Sequence, residues 1–320
     1  MQLVKKVIGA EMEYFDTYFE AAFRSDIPLL DKVLAYLTKS KGKQMRPMFV
    51  LLCARLGGPI NDKSYRAALF VEMVHTSSLV HDDLIDNSSE RRGSSSINAL
   101  WKNRISVLTG DNLFTKSILL LLENKDYQIL KILSGSIQKV IEGELQQMDM
   151  SRKINLNEEI YFDIIKGKTA SLLASACAAG AASTFTDHSY IDKLYQFGEK
   201  VGITFQIKDD LLDYGNSDIG KPTGNDIKEK KVTLPLLYTL TNCDNALRKK
   251  LIRIIKYKNT DAESINFLIE VVKKNGGIKY AEKNMIDCRD EALNLLYEFP
   301  ESDTRNALEN LVLFVTERIY

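Results

Sequence analysis

Apolar residues recur at intervals of three and four along most of this chain and almost nowhere alternate. Ala67, Phe70, Val71, Val74 and Ser78 follow this spacing, and Leu194, Phe197, Val201 and Phe205 repeat it. The pattern gathers residues on one face of an α-helix, whereas a half-buried strand needs a period of two. Composition agrees: the 320 residues include 17 Gly and 6 Pro, about 5% and 2% against the usual roughly 7% and 5%. Few turn formers favour long helices. Gly57-Gly58-Pro59 closes one helix and Asn61-Asp62 caps the next. Arg92-Gly93-Ser94-Ser95-Ser96 reads as a loop, as does the stretch from Gly215 to Gly224 with Pro222 inside it. No Pro/Ser-rich linker or block of like charge divides the chain, so one all-α domain over residues 1–320 is expected, built as a large helical bundle.

The 43 Lys+Arg balance 43 Asp+Glu, which removes the electrostatic case for a nucleic-acid binder while leaving room for a local basic pocket. Cys53, Cys177, Cys243 and Cys288 form no C-x-x-C pair, which excludes a zinc ribbon and argues against a disulfide scaffold. Glu11 and Glu13 interrupt any apolar signal-peptide core. The longest uncharged stretch, Thr169 to Thr186, is mostly Ala and Ser. It reads as a tightly packed small-residue helix rather than a membrane span. The expectation is a cytoplasmic protein with no transmembrane segment.

An internal echo points to chemistry. Leu79-Val80-His81-Asp82-Asp83-Leu84-Ile85-Asp86 is similar to Gln206-Ile207-Lys208-Asp209-Asp210-Leu211-Leu212-Asp213; both are D-D-x-x-D at the end of an apolar helical run. Residues four apart share a helix face, so Asp82 and Asp86 point one way, as do Asp209 and Asp213. A single such cluster is most simply a solvated surface. Two, each behind a buried apolar run, call for compensating charge, and Mg²⁺, which takes a few carboxylates plus water and phosphate oxygens, supplies it. Basic residues sharpen the picture: Lys43 and Arg46, Arg91 and Arg92, Lys166 and Lys168, Lys221 and Lys231. Together they suit diphosphates, Arg by forked contacts and Lys as a point charge. No G-x-x-x-x-G-K-[ST] string occurs, so an ATP-type phosphate loop is absent from the sequence.

From about residue 40 to 240 the chain resembles the trans-isoprenyl diphosphate synthases (polyprenyl synthetase family), its long-chain, octaprenyl-type members in particular. Six collinear motifs carry the likeness: Gly42-Lys43-x-x-Arg46-Pro47; His75 through Gly93; Gly110-Asp111-x-Leu113-Phe114; Lys168-Thr169-Ala170; Phe205-Gln206-x-x-Asp209-Asp210-x-x-Asp213; and Gly220-Lys221-Pro222-x-Gly224-x-Asp226 with Lys231-x-Thr233-Leu234-Pro235. Lys41, Gln44, Lys230 and Ser94-Ser95-Ser96 depart from the family pattern; Gln44 stands where an Arg is usual.

The resemblance implies an all-α isoprenoid-synthase bundle with a central cavity between the two D-D-x-x-D helices. It implies a homodimer that joins isopentenyl diphosphate head to tail to an allylic diphosphate. About three Mg²⁺ ions would neutralise the leaving diphosphate through Asp82, Asp86 and Asp209. Asp83, Asp210 and Asp213 are expected as further ligands or holders of metal-bound water. Arg91, Lys168, Thr169, Gln206 and Lys221 are implied as allylic-substrate contacts, with Lys168 and Lys221 adding charge at the leaving oxygen. Lys43, Arg46, His75 and Arg92 are implied for isopentenyl diphosphate, and Lys231 as a further substrate contact.

Product length is implied by the positions before Asp82. Ser78 lies one turn deeper, roughly 6 Å, with Ser77 beside it and Val74 a further turn down. Short-chain members usually close the tunnel there with an aromatic, so two serines leave it open. Glu142-Gly143-Glu144 with Gln147 also resembles long-chain members, and the implied product is about C40. The rivals are a farnesyl or geranylgeranyl diphosphate synthase, and a non-catalytic subunit that binds prenyl diphosphates. A terpene cyclase is disfavoured by the intact second D-D-x-x-D motif.

Overall fold

The computed structural model describes residues 1–40, 42–91, 93–215 and 224–317. Among them are fifteen α-helices and a single two-stranded hairpin. The helices follow the sequence marks closely. After α1 (Gln2–Ala22) and α2 (Pro28–Lys39), α3 (Met45–Gly57) stops at the Gly-Gly-Pro break. The next helix, α4 (Asp62–Ile85), starts with a capping box in which Asn61 accepts from the Lys63 and Ser64 amides. The short hairpin, β1 (Glu90–Arg91) and β2 (Ser94–Ser95), turns at Gly93, whose φ of 73° suits glycine. Then come α5 (Ile97–Glu123), α6 (Tyr127–Lys153) and α7 (Glu158–Ile165). A π-helical turn, Lys166–Ala170, leads into α8 (Ser171–Ala182), and α9 (His188–Leu212) carries the second acidic motif. The chain closes with α10 (Asn225–Lys228), α11 (Leu234–Asn242), α12 (Asn245–Tyr257), α13 (Ala262–Lys274), α14 (Gly277–Tyr297) and α15 (Asp303–Glu317).

Contacts divide the chain into two compact units. The first comprises Met1–Ser134, Ser175–Tyr195 and Glu301–Leu308; the second comprises Gly135–Ala174, Gln196–Pro300 and Glu309–Tyr320. Within the first, α4 is not the one-faced helix that its spacing predicts. Residues 67–74 are all buried, the signature of a helix wrapped on every side. The small-residue segment behaves as expected: residues 170–181 are all buried, and Gly180 brings α8 so close to Val50 of α3 that an added Cβ would lie 2.2 Å from its carbonyl oxygen. The second unit has its own core, including Ile203, Ile207, Leu234, Leu237, Leu251 and Leu268.

Helix α5 is long and apolar enough to cross a membrane by length and composition, yet Leu100, Leu108, Leu119 and Leu122 on it are 47%, 62%, 43% and 45% exposed. It also contains a backbone kink at Lys102, with φ 70° and ψ 168°, a region almost reserved for glycine. A side chain held there costs on the order of 1–3 kcal/mol. Lys102→Gly is therefore expected to raise the thermal midpoint by about 2–4 °C, measured by scanning calorimetry against Lys102→Ala, which keeps the Cβ and gains nothing.

Candidate active site

The first acidic motif closes α4, with Asp86 as its C-cap residue. Asp82 is half-buried and Asp86 exposed, on the helix face that also carries His75 and Ser78. Asp83 is turned away from them and is 4% exposed. Arg91 grips its Oδ1 with Nε at 2.7 Å and Nη2 at 2.6 Å. The hairpin places Arg91 there, and Tyr36 secures the hairpin by donating to the Ser95 carbonyl at 2.8 Å while packing edge-on against Trp101. Arg91, expected to touch the allylic substrate, also pairs with the middle aspartate, whose buried charge it balances.

The residues expected to set product length separate. Ser77 is buried, and its hydroxyl donates to the Gly110 carbonyl of α5 at 2.8 Å. Ser78 is half-buried and donates to the His75 carbonyl at 2.9 Å, one turn behind Asp82; Val74 is buried. Gly110 has a packing reason: a Cβ there would lie 2.2 Å from the ring of His81. The His81 ring also approaches Asp111, at 3.4 Å. At the basic loop, Lys43 is exposed and Arg46 half-buried in the first turn of α3. Gln44 is buried and donates to Asp16 Oδ1 at 3.0 Å, so the residue that departs from the family pattern ties α3 to α1. Arg92 and Lys221 lie outside the described residues.

The second unit assembles its half of the motifs more tightly. Lys168 projects from the π-helical turn and is fixed by Glu144 Oε2 and Gln147 Oε1, each at 2.5 Å. A π-turn inserted in a helix is a frequent mark of a functional position. Gly143 allows α6 to pass beside it, since a Cβ there would sit 2.5 Å from the Lys168 amide nitrogen. Thr169 donates to Gln206 Oε1 at 2.7 Å, and Gln206 Nε2 donates to Asp210 Oδ1 at 3.0 Å. Asp210 is buried, and its other oxygen accepts from Tyr161 at 2.7 Å and from the Leu234 amide at 3.3 Å. Asp213 accepts from the amides of Asn225 and Asp226 at 2.9 and 3.1 Å. Asp209 is half-buried, and Lys231 bridges Glu229 and lies 4.0 Å from Asp226.

The middle aspartate of each motif is therefore a buried, satisfied group rather than an outward one. Tyr161 and the pairing of Glu144 with Gln147 on Lys168 escaped the sequence reading, because partners distant in sequence leave no spacing to detect. Asp226 was visible only as a motif letter; in the fold it joins the acidic group. Burial and the nearby Asp210 and Asp213 push its carboxyl up to about 7, while Lys231 pulls it down. Burial pushes Asp210 up to about 6 against its three hydrogen bonds.

Among the described residues no three His, Cys, Asp or Glu side chains converge as a ready metal cage. Mg²⁺ does not require one, since it keeps waters and takes one or two carboxylates with substrate phosphate oxygens. The half-buried Asp82 and Asp209 and the exposed Asp86 offer the hard oxygen donors that such a cation takes.

The sequence pattern of the polyprenyl synthetase family matches residues 27–272, and the chain belongs to that family, whose members are prenyltransferases. Among its relatives, the octaprenyl diphosphate synthase of Haemophilus influenzae is 31% identical over 99% of this chain and 97% of its own. A polyprenyl synthase from Caulobacter crescentus, solved with calcium and isoprenyl diphosphate, superposes with a TM-score of 0.93 at 32% identity, covering 100% and 98% of the two chains. A geranylgeranyl pyrophosphate synthase from Bacteroides thetaiotaomicron gives 0.85 at 37% identity over 99% and 98%.

The raised carboxyls have a consequence for stability. Asp226 binds a proton in the folded state at pH values where the unfolded chain, with its ordinary carboxyl, has lost it. Its contribution therefore falls as pH rises from about 4 to about 7. Asp226→Asn is expected to raise the thermal midpoint of the metal-free protein at pH 8 and to leave it little changed at pH 4. Equal shifts at both pH values would contradict this.

Proposed function

We propose that this protein is a long-chain trans-polyprenyl diphosphate synthase, adding isopentenyl diphosphate units to an allylic diphosphate to give a product of about C40. The observation that carries the enzyme class is the paired acidic motifs at the ends of α4 and α9, each with its middle aspartate tied down inside the protein, and the small Ser78 and Val74 before Asp82 support the long product. Asp82 and Asp209, half-buried, and Asp86, exposed, are the carboxylates proposed for cations. Bound there, Mg²⁺ supplies Lewis-acid charge to the departing diphosphate. Lys168, held at a fixed position by Glu144 and Gln147, offers an ammonium to a leaving oxygen. Thr169 and Asp210 lock the Gln206 amide, whose remaining N–H can hold a phosphate oxygen. Lys43, Arg46 and His75, with Arg92 and Lys221, form the remaining basic set for the two diphosphates. No side chain is assigned as the base for the final proton, which the released diphosphate can accept.

The exposed leucines of α5 support a homodimer: beyond the kink at Lys102, Leu108, Leu119 and Leu122 fall within one face of the helix. Such a stripe on a soluble cytoplasmic enzyme is what a twofold interface covers. Leu108→Glu is expected to shift the protein from dimer to monomer in sedimentation velocity; an unchanged sedimentation coefficient at micromolar concentration would place the interface elsewhere.

A shorter product is the competing reading, favoured by the 37% identity to a geranylgeranyl synthase. The deciding assay supplies purified protein with farnesyl diphosphate, excess isopentenyl diphosphate and Mg²⁺, and sizes the chains by mass spectrometry. Products near C40 support the long-chain reading, and a stop at C20 overturns it while keeping the enzyme class. No elongation by folded protein indicates a binding subunit. Ser78→Phe is expected to shorten the product with little change in stability, because Ser78 is only half-buried. Ser77→Phe must force α4 from α5 at Gly110 and is expected to lower stability by about 1–3 kcal/mol.

A further inference from the structure

Helix α12, Asn245–Tyr257, has five basic residues and no acidic one, in a chain whose net charge is zero. Its apolar face is used internally, since Leu251, Ile254 and Ile255 are buried in the core of the second unit. Arg248 is also used internally, donating to the carbonyls of Leu240, Thr241 and Cys243 and so closing the end of α11. The remaining cations lie outside. Lys249, Lys250, Arg253 and Lys256 are exposed, at the i, i+1, i+4, i+7 spacing that lines one helix face. Lys258 extends the row beyond the helix end.

Two aromatic side chains accompany the cations. Tyr257, between Lys256 and Lys258, is 78% exposed, the most exposed large hydrophobic side chain among the described residues. Phe267 of α13 is partly exposed, and the Lys250 ammonium stands 3.8 Å from its ring centroid. The acidic side chains nearby lie at the ends of the row or are already engaged: Asp244 caps α12, Asp261 caps α13 beside Lys258, and of the Glu263 and Glu270 that α13 exposes, Glu270 is bridged to Lys273 at 3.2 Å. A lysine or two at a helix C-terminus is explained by the helix dipole. A row running from Lys249 to Lys258 is not, because that effect is confined to the last turn.

We infer that the exposed face of α12 docks this protein on an anionic lipid surface. Charge complementarity argues for the occupant: the row of cations spans about 10 Å from Lys249 to Lys256, and basic residues at that spacing gain from a negatively charged leaflet with no need for specific pockets. Aromatic side chains with a polar tip, flanked by lysines whose stems can lie along acyl chains, are typical of a membrane interface. The inference stands on α12 alone and does not depend on the product assigned above.

The test is sedimentation with vesicles of phosphatidylglycerol and phosphatidylcholine against vesicles of phosphatidylcholine alone. The expected result is binding to the anionic vesicles only, weakened by salt within the range where the screening length shortens. The triple variant Lys249→Glu, Arg253→Glu, Lys256→Glu is expected to lose at least about tenfold in vesicle affinity, with unchanged thermal midpoint and unchanged turnover in detergent. Tyr257→Ser is expected to weaken binding less and without altering its salt dependence. Equal binding by wild type and the triple variant overturns the inference, as does failure of the wild type to bind anionic vesicles at low salt. Binding to an acidic polymer such as heparin as tight as to the vesicles overturns the lipid as occupant and leaves only a general polyanion surface.

Discussion

Concentrated negative charge at the ends of buried helices is the constraint from which most of this molecule follows. Six carboxylates in two motifs sit where apolar runs end, and a buried carboxylate without compensation costs several kcal/mol. The protein solves this differently for each position. Asp83 receives a guanidinium fork from Arg91, Asp210 receives three neutral donors, and Asp213 receives two backbone amides. Fixing these three leaves the first residues of the motifs, with Asp86, as the outward carboxylates.

The surrounding features serve that arrangement. The hairpin at residues 90–95 exists to bring Arg91 back over the end of α4, and Tyr36 and Trp101 keep it there. In the second unit a π-turn, a glycine on α6 and two acceptors on α6 together set the position of one ammonium group. Thr169, Gln206, Asp210 and Tyr161 form a continuous hydrogen-bonded chain, in which the orientation of the Gln206 amide is decided by partners at both ends. Such fixed polar groups need not reorganise when charge develops on a substrate, which is the basis of electrostatic catalysis.

Several substitutions that look like departures from the family pattern have local physical reasons. Gln44 is drawn inward to Asp16 and ties α3 to α1. Ser94-Ser95-Ser96 supplies the second strand of the hairpin and the N-cap of α5, where the Ser96 hydroxyl accepts from the Ala99 amide. Lys102 is the opposite case, a side chain at a backbone conformation suited to glycine.

The all-α class, the helix stop at Gly57, the cap at Asn61 and the two acidic motifs were legible in the sequence, whereas the hairpin around Gly93 was legible only as a loop. Each is encoded by residues within a few positions of one another, and period, capping and turn chemistry act over that range. What the linear pattern left open was the division of labour inside the motifs. D-D-x-x-D puts its first and last residues on one face, but it does not say that the middle one is buried or who satisfies it. That Arg91 also pairs with Asp83, and that the Ser77 hydroxyl donates to α5, could not be read from the motifs. Tyr161, forty-nine residues from Asp210, and Gln147, twenty-one from Lys168, carry no local signal at all. Hydrogen-bond partnership across such separations depends on how whole helices pack, and packing is a property of the tertiary structure alone.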